Sequence, residues 1–199
     1  MTSVAIIWMS SGNSYFKENI IREIAIFASR KFSDVVIISP DEPADHTFNA
    51  IGYNVPESKK KARLNANLLL NRARRAISGL DGKIIIAEWK DVASNNAYRT
   101  EYKNIISLYN KNEIFRQDAR NATKEVLTGK SKKADMESAI DEGVFYLLKE
   151  LAFLLASPKI YDSEEVTYIY HKKWQIFQNL ISGLYDNHSK KQLEFLLHN

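Results

Sequence analysis

Among the 199 residues there is no cysteine, which excludes disulfides, thiolate catalysis and cysteine-ligated zinc together and fits a reducing, cytoplasmic setting. Histidine is scarce: His46, His171, His188 and His198 show no HExxH or other close ligand pairing, so no metal and no cofactor is expected. No stretch approaches the ~20 apolar residues of a membrane span, because Glu18, Arg22 and Glu23 already interrupt the N-terminal helical pattern. A basic leader followed by an apolar core and a small-residue cleavage site is missing as well, so no signal peptide is expected. The patterns G-x-S-x-G, G-x-G-x-x-G and the Walker loop are also absent, which removes the sequence grounds for a hydrolase elbow, a dinucleotide site or an NTP site.

What is present is an ordinary globular balance, 45% hydrophobic and 26% charged with a net charge of +4, enough for one core and a single domain over residues 1–199. The stretch VAIIWMSSGNSYF, residues 4–16, runs six apolar residues into a Ser/Gly/Asn turn and then into an amphipathic helical pattern over 14–32. Ser10 therefore falls at the carboxyl end of a first strand, the edge at which open α/β sheets bind ligands. The same residues also read as a plain turn with an N-cap. Residues 34–39 are a short apolar run of the kind expected in a buried parallel strand, completing a βαβ unit. Residues 41–54, entered through Pro40 and carrying Pro43, an Asp45-His46 pair and one glycine, read as a loop at the same edge.

A long two-faced helix is predicted over 57–80. Its apolar stripe is Ala62, Ala66, Leu69, Ala73, Ala76 and Leu80. Lys60, Lys61, Arg63, Arg72, Arg74 and Arg75 occupy the remaining circumference, with only Glu57 available for pairing along the helix. Such a face is either a solvated surface or an electrostatic footprint for a phosphate backbone. Residues 83–87 read as a third buried strand that delivers Glu88 and Trp89 to the functional edge. Helices follow over 93–109, 113–127 and 134–155, broken at 110–112 and 129–133, and the last places Tyr146 and Glu150 on one face at i and i+4. Residues 164–171 alternate as a fourth strand ending in Tyr170-His171, and 174–185 and 189–197 read as closing helices. The class is α/β, with a mainly parallel sheet flanked by helices.

A serine at a strand end, an asparagine three residues on, a Tyr/Glu pair on a helix, a Tyr-His at another strand end and a cationic helix suit acyl transfer from an activated, polyanionic donor. In these residues the chain resembles the tRNA-dependent cyclodipeptide synthases, a family with a Rossmann-like fold similar to class Ic aminoacyl-tRNA synthetase catalytic domains. Residues 10–16 resemble the nucleophile loop of that family, 146–150 its second motif, Tyr170-His171 its strand-end pair, and 57–78 its basic tRNA-binding helix. The resemblance implies that two aminoacyl-tRNAs are joined into a diketopiperazine by ping-pong transfer through an aminoacyl-serine and then a dipeptidyl-serine. Ser10 would be the nucleophile, Asn13 and backbone N–H groups near the helix start would steady the oxyanion, Tyr146 and Glu150 would hold the ammonium group, and Tyr170, beside His171, would relay a proton.

The chain departs from the family pattern at several points: Val4 and Trp8 stand where a histidine and a glycine are usual, Ala152 where a proline is common, and Lys172-Lys173 where an acid is often found. On the same resemblance Ile6, Trp8 and Trp89 would wall the first aminoacyl pocket and Lys173 would face the second, favouring a polar or acidic member of the product. The opposite arrangement, with Trp8 in the core and Lys173 in solvent, is equally open from sequence. A monomer without membrane association is expected. The competing class is a non-catalytic tRNA- or RNA-binding module that keeps the basic helix and a degenerate pocket.

Overall fold

The computed structural model describes residues 3–131, 135–186, 190 and 192–198; Lys132, Lys133 and Ala134, at the expected break and helix start, and His188 lie outside them. The apolar run at the N-terminus forms β1 (Ser3–Trp8) at the centre of a five-stranded sheet. Its neighbours are β2 (Asp34–Ile38) and β4 (Glu165–Tyr170), and β3 (Lys83–Ala87) and β5 (Leu193–Leu197) lie at the edges, all pairs being parallel. Val4 to Trp8 are almost wholly buried, as expected of a central strand covered on both faces. Chain order reverses on either side of β1, toward β2 and β3 on one side and toward β4 and β5 on the other. The crevice beyond the carboxyl ends of β1 and β4 is thus the switch point at which such sheets bind ligands.

Two expectations are corrected. Residues 41–54 are not a loop, because α2 (Glu42–Ala50) forms there, with the Asp41 side chain accepting from the Glu42 N–H and Pro43 in the first turn. Proline has no N–H to lose in a first turn and its fixed φ suits the helix, so it marks a helix start as readily as a break. Residues 193–197 are a strand rather than a helix: Leu-Glu-Phe-Leu-Leu is too short for its period to decide, and the open edge of β4 supplies the partner, Val166 to Tyr170 pairing with Leu193 to Leu197. A third difference is that β3 is an edge with Lys83 and Ile85 exposed, not a buried strand.

The helix α1 (Glu18–Lys31) packs against α3 (Val55–Ile77), while α7 (Met136–Ile160) packs against α2, α5 (Asn96–Lys111) and α6 (Glu113–Leu127). The short α4 (Trp89–Ser94) precedes α5, and α8 (Gln175–Ser182) follows β4. Buried residues fall around most of the α7 circumference, the pattern of a helix enclosed by neighbours. At Gly143 an added Cβ would stand 3.2 Å from Ala50, Leu127 and Thr123 side chains. Glycine there lets α7 approach both α2 and α6, and these three helices wall the site.

Candidate active site

The strand β1 ends at Trp8, and the chain turns at once: the Asn13 N–H donates to the Ser10 carbonyl at 3.2 Å, and Gly12 takes φ +78°. That left-handed conformation is disfavoured for residues with a Cβ and is supplied here by glycine. Helix α1 begins only at Glu18, so the turn is separate from the helix start and Asn13 is not its N-cap. Ser10 Oγ lies 2.6 Å from the Tyr170 hydroxyl and accepts a longer hydrogen bond, 3.4 Å, from Tyr146. Parallel pairing of β1 with β4 places Ile7 opposite Ile169, which carries the Ser10 turn alongside Tyr170 across the crevice.

Asn13 is oriented by its own backbone. Its Oδ1 accepts the Tyr15 N–H at 3.0 Å, so its amide nitrogen faces His171 Nε2 at 3.2 Å. An amide N–H₂ only donates, which makes Nε2 the acceptor and puts the imidazole proton on Nδ1. Burial, with Lys172 adjacent, pushes the His171 pKa down, keeping the ring neutral. The ring stacks on Tyr15 at 4.6 Å, and the Tyr15 hydroxyl bonds His198 Nδ1 at 2.8 Å.

One turn of α7 beyond Tyr146, Glu150 is 8% exposed, and its Oε1 accepts from the Tyr168 hydroxyl at 2.7 Å. Burial raises its pKa to about 8 despite that hydrogen bond. The hydroxyls of Tyr146 and Tyr170 are held well above their ordinary range, first by burial and then by the Glu150 charge, so both remain protonated donors at neutral pH. Ser10, Asn13, Tyr146, Glu150, Tyr170 and His171 all line one cavity of about 600 Å³. Further lining comes from α2, α6 and α7, including Phe48, Leu127 and Leu147.

The other expected positions lie elsewhere. Trp8 is fully buried among Trp89, Phe153 and Tyr168; it reaches the site through Tyr146, whose ring it meets edge-on at 6.4 Å and to whose hydroxyl its Nε1–H donates at 2.9 Å. Ile6 points to the same sheet face two residues earlier, about 6–7 Å deeper along the strand, and is also fully buried. Trp89 donates to Glu42 at 2.6 Å, beside the Lys149–Glu42 ion pair. None of the three lines the cavity, and Lys173 is exposed, while its neighbours Lys172 and Trp174 do line it. The basic face of α3 divides. Arg72 caps the Phe16 carbonyl at 2.6 Å and Arg75 pairs with Glu18 at 2.9 Å, both tying α3 to the segment around α1. Arg74 bonds Asn71, and Lys61 sits over the Tyr53 ring. The six cations are therefore not a uniform unpaired set; Lys60 and Arg63 stand with Lys59, Leu64 and Asn67 in an open surface depression.

Tyr168 was not singled out in the sequence. The signal was there, since Tyr168 and Tyr170 are two apart on an alternating strand and must share a face.

Residues 3–195 match the family model described as cyclodipeptide synthase. The chain belongs to the cyclodipeptide synthase family. It is accordingly an enzyme of the tRNA-dependent aminoacyltransferase class, and the family uses aminoacyl-tRNAs as substrates. Among curated relatives, the cyclo(L-leucyl-L-leucyl) synthase of Staphylococcus haemolyticus is 23% identical over 188 residues, covering 91% of this chain and 80% of that protein. A solved cyclodipeptide synthase structure from the same species superposes with a TM-score of 0.87 at 22% identity, covering 98% of this chain and 90% of the other. A Mycobacterium tuberculosis structure, presented as demonstrating that cyclodipeptide synthetases are related to type I tRNA synthetases, gives 0.81 at 20% identity, with 97% and 84% covered. At these identities the superpositions establish the shared fold, a five-stranded parallel Rossmann-like sheet flanked by helices. No helix among the described residues is long and apolar enough to cross a membrane.

Proposed function

We propose that this cyclodipeptide synthase works by ping-pong acyl transfer through Ser10. The observation that carries the reading is the position of Ser10 Oγ, 2.6 Å from the Tyr170 hydroxyl and in the same cavity as the buried Glu150 carboxyl. In the first step Oγ forms a bond to the ester carbonyl carbon of an aminoacyl-tRNA and the bond to the ribose oxygen breaks. The Ser10 proton passes to Tyr170 as Tyr170 gives its own to that oxygen, so the tyrosine ends neutral. An activated ester needs little more help than this. The N–H groups of the Ser10 turn and the Asn13 amide are the donors available for the oxyanion.

Glu150 and Tyr146 hold the α-ammonium group of the bound residue. An ammonium group entering beside a buried carboxyl replaces the missing solvation and favours its ionised form. Once ionised, the Glu150 carboxylate is also placed to accept the ammonium proton when the amine becomes a nucleophile. That amine attacks the ester carbonyl carbon of the second aminoacyl-tRNA; the bond to the ribose oxygen breaks, that oxygen takes up the proton the amine loses, and the tRNA departs, leaving a dipeptide on Ser10. The terminal amine of the dipeptide then attacks the seryl ester, Ser10 recovers its proton through Tyr170, and the diketopiperazine leaves.

The exposed part of α3 around Lys59, Lys60 and Arg63 is the surface proposed for the tRNA phosphates, and the chain acts as a monomer in the cytoplasm. With Trp8 in the core and Lys173 exposed, those residues lend no support to a polar or acidic product, so the proposal leaves the product side chains to the shape of the cavity. Intact-protein mass spectrometry after mixing with a full set of charged tRNAs tests the reading. An aminoacyl adduct present in the native chain and lost in Ser10→Ala, with a diketopiperazine in the supernatant, is the expected result. Binding of tRNA with neither adduct nor product would overturn it in favour of a binding module.

A further inference from the structure

Trp8 lies outside the cavity yet is bonded into the site from behind. Its ring is held by Trp89 at 6.1 Å and 88°, by Phe153 at 5.4 Å and by Tyr168 at 6.2 Å. An indole packed this closely aims its Nε1–H in one direction, and that direction is the Tyr146 oxygen. Because an indole N–H is a donor and never an acceptor, the Tyr146 oxygen must accept, and its own hydrogen is left to point elsewhere. Ser10 Oγ, at 3.4 Å, is the acceptor on that side. The distance is long for a hydroxyl pair, with room to tighten once the site is filled. The Ser10–Tyr170 contact at 2.6 Å can run either way; with a donor already arriving from Tyr146, the Ser10 hydrogen is free to point to the Tyr170 oxygen.

We infer that Trp8 is a positioning residue: through Tyr146 it sets the direction of the hydrogen-bond chain, so that the Ser10 hydroxyl donates to Tyr170 and not to Tyr146. The inference rests on Ser10 being the acylated residue. Without the indole N–H, the Tyr146 hydroxyl turns about its C–O bond and can accept from Ser10. Two arrangements then share the population, and only one has the Ser10 proton directed at the tyrosine that relays it. Occupying one lone pair of the Tyr146 oxygen also leaves the other to accept from the substrate ammonium group.

A double-mutant cycle separates this role from packing. Trp8→Phe keeps an aromatic ring in the cluster but carries no donor; Tyr146→Phe removes the intermediary. In single-turnover mixing with charged tRNA, read as acyl adduct on Ser10 by quenched intact mass, Trp8→Phe should slow acylation about five- to tenfold, the worth of one hydrogen bond. The Kd for tRNA should not move. In the Tyr146→Phe background the same substitution should have no further effect. Equal losses in both backgrounds would mean packing alone and would overturn the inference, as would no loss in the native background.

If Trp8→Phe does not fold, the indole N–H resonances of the native chain and of Tyr146→Phe provide a second measurement. The three tryptophans give three signals, and one must move upfield when its acceptor is removed; an unchanged set would overturn the inference. Absence of any adduct on the native chain would instead sink the acyl-serine reading, while the resonance shift would still report on the bond.

Discussion

Replacing Glu150 by glutamine should make the protein more stable as pH rises while removing its activity. The carboxyl is buried, and its pKa stands near 8 against an ordinary value of 4.5. Between those two values the unfolded chain has released this proton and the folded chain still holds it. The folded state therefore binds more protons, and its stability falls as pH rises through the window. The gap between 4.5 and about 8, at about 1.4 kcal/mol per pH unit, amounts to a loss on the order of 5 kcal/mol once Glu150 is ionised. Glutamine has nearly the same shape, and its carbonyl can accept from Tyr168 as Glu150 does, but it carries no proton to release. Urea unfolding of both proteins at half-unit steps from pH 5 to 8.5 is the assay, and the difference between the two curves cancels the other titrating groups. The difference should be small near pH 5 and should grow in favour of Glu150→Gln by several kcal/mol up to about pH 8, then level off. Parallel curves would refute the argument, since the carboxyl would then cost nothing to ionise where it lies. The same substitution should remove product, because a neutral amide holds an ammonium group poorly. The site would thus trade stability for a charge it needs only when occupied.

Ser10→Ala should abolish both adduct and product and leave the thermal unfolding midpoint within a degree or two, because Ser10 sits on a turn outside the packed core; a retained adduct would move the nucleophile to Ser11. Neutralising Lys60 and Arg63 together should reduce the slope of log K against log salt for tRNA binding by about 1.4 to 1.8, at about 0.7 to 0.9 per contact, and an unchanged slope would return this part of α3 to plain solvated surface. Arg72→Ala should act differently, lowering stability by about 1 to 3 kcal/mol in denaturant unfolding because the Phe16 carbonyl loses its donor; a loss confined to tRNA affinity would contradict the structural role. Gly143→Ala should cost about 1 to 3 kcal/mol of stability, since its Cβ meets three side-chain atoms at 3.2 Å, and a neutral result would mean that α2 and α6 can give way.

The sequence by itself determined the elements whose signal is local and long. A short continuous apolar run bounded by turn signals reads as a strand, which made β1 and β2 legible, although β3 shows that the run does not by itself fix burial. A repeating stripe over more than twenty residues is a helix, which made α3 legible, and the Ser/Gly/Asn turn after β1 could not continue either element. The residues Ser10, Asn13, Tyr146, Glu150, Tyr170 and His171, which the family resemblance picks out of the sequence, line one cavity. Tertiary structure decided what depends on partners far away in the chain. Whether Leu193 to Leu197 is helix or strand turned on the free edge of β4, and α2 was hidden because Pro43 reads as a breaker until its place in the first turn is known. The direction of a side chain on a strand of known position is likewise settled by what packs above it: Trp8 was legible as a residue near the site, but Trp89, Phe153 and Tyr168 close around it and turn it from a pocket wall into a buried donor. Charge is the same case. Along α3 alone Arg72 and Arg75 have almost no acid to meet, and only the packing of α1 against α3 brings the Phe16 carbonyl and Glu18 within reach.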